Sequence, residues 1–475
     1  MKKVLFTGIL AILLFAAVVS GACVSDNSRT FEEKLAGLDH VTSVEKLSGE
    51  SADKYIAVFS LPLDWENLDI GSFPLRVEII PRDGDSKYTV VETEGYIIQD
   101  ASLKSDDPNE IASLLSANFV HIEHRFFGES APAGFSNDGT QYWEYLTAEN
   151  YAKDRHLILT ELKTILPGKY VMTGSSKGGL DAVLFSRYYP EDVDLTVAYS
   201  APCCTDFNDR RMMAYVYEHA GDEEFGEDVA AKYRSLLTDF QVFCLEHRDV
   251  LAQKYYEKAL SEGCTFRPFC TADTLFDVIV LDVAMETWQY QYSFADIASC
   301  LAMPQNTNEE LDDKLSAAFS LLCSLESPAQ WSTSSQYYPY FYQTAHELGL
   351  YYYDFSYLRD AIAAKNADAV ISIDREDEEN LIARVMFTDA QNALISFNPE
   401  TIASLREWIW NTDADIMLIY GASDPWYATK IPKNPANTHV KEYVSSTMAH
   451  QVSIADGFDA KTKERIIADI YAALA

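Results

Sequence analysis

Between Lys169 and Tyr188 the chain changes character twice within about one structural unit. Lys169 to Met172 is a short, β-prone apolar run. Gly174-Ser175-Ser176-Lys177-Gly178-Gly179 follows, and Leu180 to Tyr188 then carries apolar residues at helical spacing. This is the strand–turn–helix layout of a nucleophile elbow, Gly-x-Ser-x-Gly, centred on Ser176. The turn at such a serine is sharp and strained, and strand and helix meet so closely there that neighbouring side chains clash, which is why the flanking residues are small. Two serines stand side by side, but only Ser176 has glycine two positions before and two after.

The surroundings of the elbow extend the constraint. β-like runs at Lys54 to Leu63, Leu75 to Ile80, Lys87 to Glu92 and Phe119 to Glu123 precede it, a helical pattern covers Ala148 to Leu166, and Val193 to Tyr199 reads as the next strand. Strands alternating with helices of this size predict a doubly wound, mostly parallel α/β sheet. After Cys204 the texture changes to helices rich in Tyr, Leu and acidic residues, with strong candidates at Leu251 to Leu260, Asp277 to Tyr292 and Glu309 to Ser324. Near residue 385 it reverts, with strands at Ile416 to Tyr420 and His439 to Val444 and a closing amphipathic helix from Lys461 to Leu474. The expected organisation is a signal segment (1–22), a polar leader (23–54), the first half of an α/β core (55–205), a helical cap insertion (206–385) and the second half of the core (386–475).

Two further residues fall where acyl-transfer chemistry needs them. Asp424 follows the strand ending at Tyr420, and Pro425 stops that strand by removing a donor. His450 follows the strand ending near Val444 and precedes the last helix. Serine is a weak nucleophile at its own pKa. It needs a base to take its proton, and the base needs a carboxylate to fix its tautomer. The chain order Ser176, Asp424, His450, each after a predicted strand, is the order of an α/β-hydrolase, and the predicted cap accounts for the long stretch between the first two. An oxyanion would be held by two backbone N–H groups, one from Lys177 and one from the Gly95-Tyr96 turn, taken as Tyr96.

Charge and cysteines narrow the setting. With 37 Lys plus Arg against 73 Asp plus Glu, the net charge is −36, so nucleic acid and anionic lipid surfaces are not expected partners. Lys2 and Lys3, an apolar stretch from Val4 to Val19 and the small residues Ser20-Gly21-Ala22 read as an export signal. Cys23 follows directly and resembles a lipid-anchored cysteine, although Ser20 stands where leucine is usual; ordinary signal cleavage at the same bond stays open. The expected location is secreted, periplasmic or lipid-anchored at the envelope, with the membrane reached only through that anchor. Seven further cysteines are present, five of them between residues 244 and 323, where disulfides are expected in an oxidising compartment. No cysteine pair has zinc spacing, and His346-Glu347 lacks the second histidine of a metalloprotease helix because residue 350 is Leu. No metal and no cofactor is expected.

At this point the residues resemble a known family. Glu123-His124-Arg125-Phe126-Phe127, Gly174 to Gly179, Arg187 to Asp194 and Val197 to Pro202 are similar to the secreted bacterial tripeptidyl aminopeptidases of the PS-10 serine peptidase family. Val280-Leu281-Asp282, Trp288-Gln289-Tyr290 and Tyr420-Gly421 with Asp424-Pro425-Trp426 carry the likeness through about residues 75–470. The Ser-Lys-Gly-Gly elbow separates it from the related prolylcarboxypeptidase and dipeptidyl-peptidase group, which usually has Ser-Tyr-Gly-Gly. Two positions depart from the family. Ser175 replaces a usual glycine, and Met448-Ala449 replace the glycine and asparagine before the histidine.

The resemblance implies a serine exopeptidase that removes short peptides, expected to be tripeptides, from free N-termini through Ser176, Asp424 and His450. A free α-amino group is cationic, so carboxylates must meet it. The candidates are Glu123, Glu94, Asp282 and Glu286, with Glu123 better suited to a buried ion pair with Arg125 or another base than to direct substrate contact. A dipeptidyl or prolyl-type exopeptidase, an esterase, and a non-catalytic surface binding lipoprotein on the same fold remain alternatives.

Overall fold

The computed structural model describes residues 29–47, 53–82, 86–99, 109–290 and 293–475, so the expected signal segment and Cys23 lie outside it. Nine strands, β1 (Val41–Leu47), β2 (Lys54–Pro62), β3 (Ser72–Ile80), β4 (Tyr88–Thr93), β5 (Asn118–Ile122), β6 (Lys169–Ser175), β7 (Leu195–Tyr199), β8 (Ile416–Gly421) and β9 (Val440–Ser445), form one sheet. Their order is β1-β2-β3-β5-β4-β6-β7-β8-β9. The three pairings from β1 to β5 through β3 are antiparallel, and the remaining five, from β5 to β9, are parallel. The parallel part needs crossovers, which helices α1 (Ala148–Leu162) and α2 (Lys177–Tyr188) provide around β6.

Burial explains why the central strands read clearly. Along β8, Ile416, Leu418 and Tyr420 join the apolar cluster under α2, while Met417 and Ile419 join the cluster on the opposite face. Both faces of the strand are covered, so the run is apolar throughout although successive side chains point to opposite sides. β1 is the strand that the sequence reading does not contain; it lies where a polar leader is expected. Its half-buried residues are Val41, Val44 and Leu47, three apart, and its pairing to β2 is irregular between Val41 and Ser43. An edge strand with that spacing leaves no period-two signal.

Between β7 and β8 the described chain is helical apart from short bridges. Helices α3 (Glu227–Glu246), α4 (Ala272–Tyr290) and α5 (Asn308–Leu325) belong to this insertion, while α6 (Glu400–Asn411) returns to the core and packs Ile402, Leu405 and Ile409 against Leu180, Val183 and Leu418. The chain ends in α7 (Ala460–Ala473), whose Ile466 and Ile470 cover the opposite face of the sheet. α4 is buried without a break from Thr274 to Met285, as befits the central helix of the insertion. Its C-terminal turn reaches the core: the Gln289 carbonyl accepts from the His450 backbone N–H at 3.0 Å. Among the described residues no helix is long and apolar enough to cross a membrane.

The expected disulfides are not formed. All seven described cysteines are free thiols, and six of them are buried. Burial rather than cross-linking accounts for their placement, and it pushes thiols such as Cys270 up to about 12, where they are inert toward exchange.

Candidate active site

β6 delivers Ser176 into a turn with φ 56° and ψ −125°, a conformation that a non-glycine residue holds only when its surroundings enforce it. Those surroundings are visible. The Ser176 N–H donates to the Tyr199 carbonyl at 2.8 Å, and the Leu180 N–H donates back to the Ser176 carbonyl at 3.0 Å. The Thr93 hydroxyl bonds the Gly178 carbonyl at 2.6 Å and the Thr173 carbonyl at 3.1 Å. A Cβ on Gly178 would collide with the Thr93 carbonyl, so only glycine lets α2 start this close to β4. Gly95 is constrained from the other side: an added Cβ would lie 2.8 Å from the Gly178 nitrogen and 3.0 Å from the Lys177 Cβ. The Gly95-Tyr96 turn therefore rests on the first turn of α2, where backbone N–H groups have no helical partner.

Asp424 and His450 are brought together from two loops. His450 Nδ1 lies 2.8 Å from Asp424 Oδ2, and the second carboxylate oxygen accepts from the Trp426 N–H at 3.1 Å. Asp424 is fully buried and His450 is 7% exposed. The Ser200 hydroxyl holds the His450 carbonyl at 2.9 Å, and the Ala422 N–H donates to Ser445 at 2.8 Å, so the loops after β8 and β9 are stitched to each other and to the loop after β7. With Nδ1–H committed to Asp424, Nε2 is the basic nitrogen. Among the described residues the Ser176 hydroxyl has no hydrogen-bond partner; it lines the same cavity as His450, and such bonds tighten when substrate binds.

That cavity measures about 400 Å³ and lies between the loops of the core and the helical insertion. The core contributes Tyr96, Ser175, Ser176, Trp426 and His450; the insertion contributes Glu286, Gln289 and Tyr290 of α4 together with several tyrosines. Tyr96 stands edge-on to Tyr337 and Tyr340, with ring centroids 5.3 and 5.5 Å away. A recess of about 20 Å³, room for roughly one water, opens beside Ser176 between Leu180, Pro202, Cys204, Tyr340 and Trp426.

Beneath the elbow lies a buried polar network. Lys177 Nζ pairs with Asp181 Oδ2 at 2.8 Å, and both side chains are 2% exposed. The same ammonium stands 5.8 Å from the ring centroids of Tyr96 and Phe127. Burial pushes Lys177 down and Asp181 up, each opposed by the other's charge. His124, stacked on Tyr151, donates Nδ1–H to the Arg125 carbonyl at 2.8 Å; burial, with Lys177 and Arg155 nearby, holds it neutral.

The four carboxylates proposed for substrate separate into two pairs. Glu123 accepts from Arg76 at 2.5 Å, from the Ser130 hydroxyl at 2.6 Å and from the Ile98 N–H at 3.0 Å, so it is an internal anchor. Glu94 lies 3.1 Å from His121 Nε2, whose imidazolium burial would disfavour but Glu78 and Glu94 stabilise, to a pKa of about 10. Neither lines the cavity. Glu286 does, and Asp282 sits one turn behind it, accepting from the hydroxyl of the cavity residue Tyr351 at 3.2 Å. Burial raises Glu286 to about 7, with His450 pulling the other way, and raises Asp282 well above the carboxylate range, with Glu286 adding to it. Glu326, beyond α5, is raised in the same way by burial and then by Glu286 and Asp282. Sequence reasoning missed Glu326, because one Glu after an acidic helix has no distinguishing neighbour. It also missed the tyrosine wall, for which the clusters Tyr337-Tyr338, Tyr340 and Tyr351-Tyr352-Tyr353 were an available signal.

Known proteins were compared with this geometry in view. The family model described as PS-10 peptidase S37 matches residues 31–474. A prolyl tri/tetrapeptidyl aminopeptidase of Streptomyces mobaraensis is 25% identical over 466 residues, covering 96% of this chain and 88% of that protein. A lysosomal Pro-X carboxypeptidase of Mus musculus is 28% identical over 206 residues, covering 41% of each. Among solved structures, a proline iminopeptidase of Mycobacterium smegmatis aligns at 10% identity over 91% of this chain and 98% of its own, with a TM-score of 0.33.

Proposed function

Starting from a chain that belongs to the PS-10 peptidase S37 family and is a serine peptidase, we propose that it is an exported exopeptidase that releases short peptides, tripeptides first among them, from free N-termini through Ser176, Asp424 and His450. The observation that carries this reading is the 2.8 Å bond from His450 Nδ1 to Asp424, with Ser176 in its strained turn on the same cavity. Ser176 Oγ attacks the carbonyl carbon of the scissile bond and gives its proton to His450 Nε2. Asp424 keeps Nδ1–H in place and stabilises the imidazolium. The developing oxyanion takes hydrogen bonds from the Lys177 and Tyr96 N–H groups, of which one donor is typically worth 10²–10³ in turnover. The tetrahedral intermediate collapses, the C–N bond breaks, and His450 protonates the leaving amine. Water then attacks the acyl-enzyme by the same route.

The cap supports action at chain ends, since a cavity of about 400 Å³ between core and insertion admits a short segment and excludes a folded protein. The relative named for prolyl substrates favours a compact side chain before the scissile bond. The basic and apolar N-terminal run favours export, with Cys23 as the first residue of the processed chain.

The test is turnover of a tripeptidyl chromogenic amide, its N-acetylated form, a dipeptidyl amide and a fatty ester by wild type and Ser176→Ala. Ser176-dependent cleavage of the free tripeptidyl amide, with the acetylated form resistant, is the expected result. Equal cleavage of free and acetylated peptides overturns the exopeptidase reading, and preferred release of dipeptides overturns the tripeptide length. For export, mass spectrometry of the processed chain is expected to show Cys23 at its N-terminus, acylated if the anchor forms and lost to the medium in Cys23→Ser. An intact Met1 in the cell-associated protein overturns it.

A further inference from the structure

Three carboxyl groups that the chemistry at Ser176 leaves unused meet on the cap side of the cavity. Glu286 lines it. Asp282, four residues earlier on α4, lies on the same helical face and is 1% exposed. Glu326 is 4% exposed and lies within electrostatic reach of both. Asp282 Oδ1 accepts from Tyr351, but Asp282 Oδ2 and Glu326 Oε1 have no hydrogen-bond partner among the described residues. None of the three takes part in an ion pair there, although nearly every other buried acid in the molecule has one or a backbone cap. Asp277 on the same helix, for example, holds Arg248 and the Ser372 N–H. Burying carboxyl oxygens without partners costs several kcal/mol, so a site that keeps them is waiting for a donor from outside.

We propose that Asp282, Glu286 and Glu326 together form the receptor for the substrate's α-ammonium group, and that they accept it in exchange for a proton. This rests on the exopeptidase reading and deepens it. The groups facing the cluster are Tyr290 on α4 itself, Tyr351 and Tyr353 from the segment after residue 349, Tyr217 from the helix Arg211–Glu218, and His450 from the catalytic loop. They are phenols and one imidazole, and none supplies a permanent positive charge. Below about pH 7 the free receptor therefore stays protonated until a cation arrives. When the peptide's –NH₃⁺ seats, one carboxyl gives its proton to solvent and becomes the carboxylate that pairs with the ammonium, so charge and atoms balance. Glu286, raised to about 7, is the first to ionise. Below that pH binding must displace a proton and weakens as pH falls; above it, Glu286 is already charged. Tyr351 already holds Asp282 Oδ1, and the tyrosine rings lining the site shield the pair from water, which strengthens it.

The experiment is calorimetric titration of Ser176→Ala protein with Ala-Ala-Ala amide, at pH 6.0 and 8.0, in two buffers of different ionisation heat. About one proton per peptide is expected to be released at pH 6.0; at pH 8.0, where Glu286 is already ionised and about half of the free peptide amine is neutral, release is expected to give way to uptake of roughly half a proton. Adding Glu286→Gln is expected to abolish the release and weaken binding at pH 8.0 about tenfold. Heats independent of buffer at pH 6.0 overturn the proposal without needing any cap variant to fold. Persistence of the release in Glu286→Gln also overturns it, because Glu286 would then not be the carboxyl that exchanges its proton for the ammonium. If wild type cleaves free but not acetylated peptides and yet no proton is released, the receptor fails while the exopeptidase reading stands. If acetylated peptides are cleaved equally, the reading fails first.

Discussion

The two walls of the cavity are built on opposite principles. On the core wall the groups that orient the base and the turn are partnered, the hydroxyls of Ser175 and Ser176 excepted: Asp424 holds His450 and the Trp426 N–H, Ser200 holds the His450 carbonyl, and Thr93 clamps the turn before α2. On the cap wall, α4 and the chain beyond α5 present acids with oxygens left over. The core wall has its base and its turn oriented before substrate arrives, as stabilising a transition state requires. The cap wall is electrostatically unfinished, as recognising a cation requires. One wall spends interactions on holding its own geometry, and the other holds them back for the ligand.

Asp424→Asn is the harshest test of the first half of that contrast. The amide keeps the shape but presents the wrong partner to Nδ1, so His450 takes the wrong tautomer. Turnover is expected to fall about 10⁴-fold with little change in KM. Steady-state kinetics on a free tripeptidyl amide check it, and a loss under tenfold would mean that the core wall is less committed than its bonds suggest. Lys177→Met comes next. It leaves Asp181 buried without its cation and removes the charge above the Tyr96 ring, so about 3 kcal/mol of stability is expected to be lost in denaturant unfolding. Lys177→Met combined with Asp181→Leu is expected to recover most of that stability while turnover stays depressed, because the ring of Tyr96 is no longer held against α2. Full recovery of turnover would reduce the pair to a structural filler.

The same contrast explains what the sequence made legible. The elbow, Asp424 and His450 were readable because each is tied to a strand end, and strand ends leave local marks: Gly178 where the Thr93 carbonyl passes, Pro425 where β8 stops. The five parallel pairings left continuous apolar runs, whereas β1, exposed at the edge, left none. The cap acids were only half legible. Asp282 and Glu286 lie four apart on a helix that is buried nearly all round, a spacing that equally fits a solvated face. Glu326 joins them only through tertiary packing. Glu94 and Glu123 looked as suitable as candidates, and what removes them is the presence of His121 and Arg76, which come from other strands.

A buried acid kept without a partner ought to cost stability, and that gives a test of the cap wall. Glu286 has a folded-state pKa raised to about 7, so the unfolded chain releases its proton first and folding is penalised as pH rises through the interval above the ordinary Glu value. Glu286→Gln is therefore expected to match wild type near pH 4, where both are neutral, and to be more stable by up to about 3 kcal/mol at pH 8, as the mutation that weakens function relieves a functional strain. Denaturant midpoints at the two pH values measure it. A variant less stable than wild type at pH 8 would mean that Glu286 has a partner and that the cap wall resembles the core wall after all.

The smallest effect belongs to Ser175, where the two walls face each other. It is the last residue of β6, exposed, and lines the cavity beside the nucleophile. The family usually has glycine there, and among the described residues the Ser175 hydroxyl makes no hydrogen bond to either wall. The strain of the turn sits at Ser176, whose φ is 56°; among the residues with positive φ Ser175 does not appear. Glycine at 175 would therefore relieve nothing. It would cost about 0.5–1 kcal/mol through the greater freedom of the unfolded chain. Ser175→Gly is expected to leave kcat within about twofold, since no bond to the reacting atoms is lost, and to lower the unfolding midpoint slightly. A tenfold change in kcat would place the Ser175 hydroxyl in contact with the substrate and make the core wall, like the cap wall, one that holds a polar group in reserve.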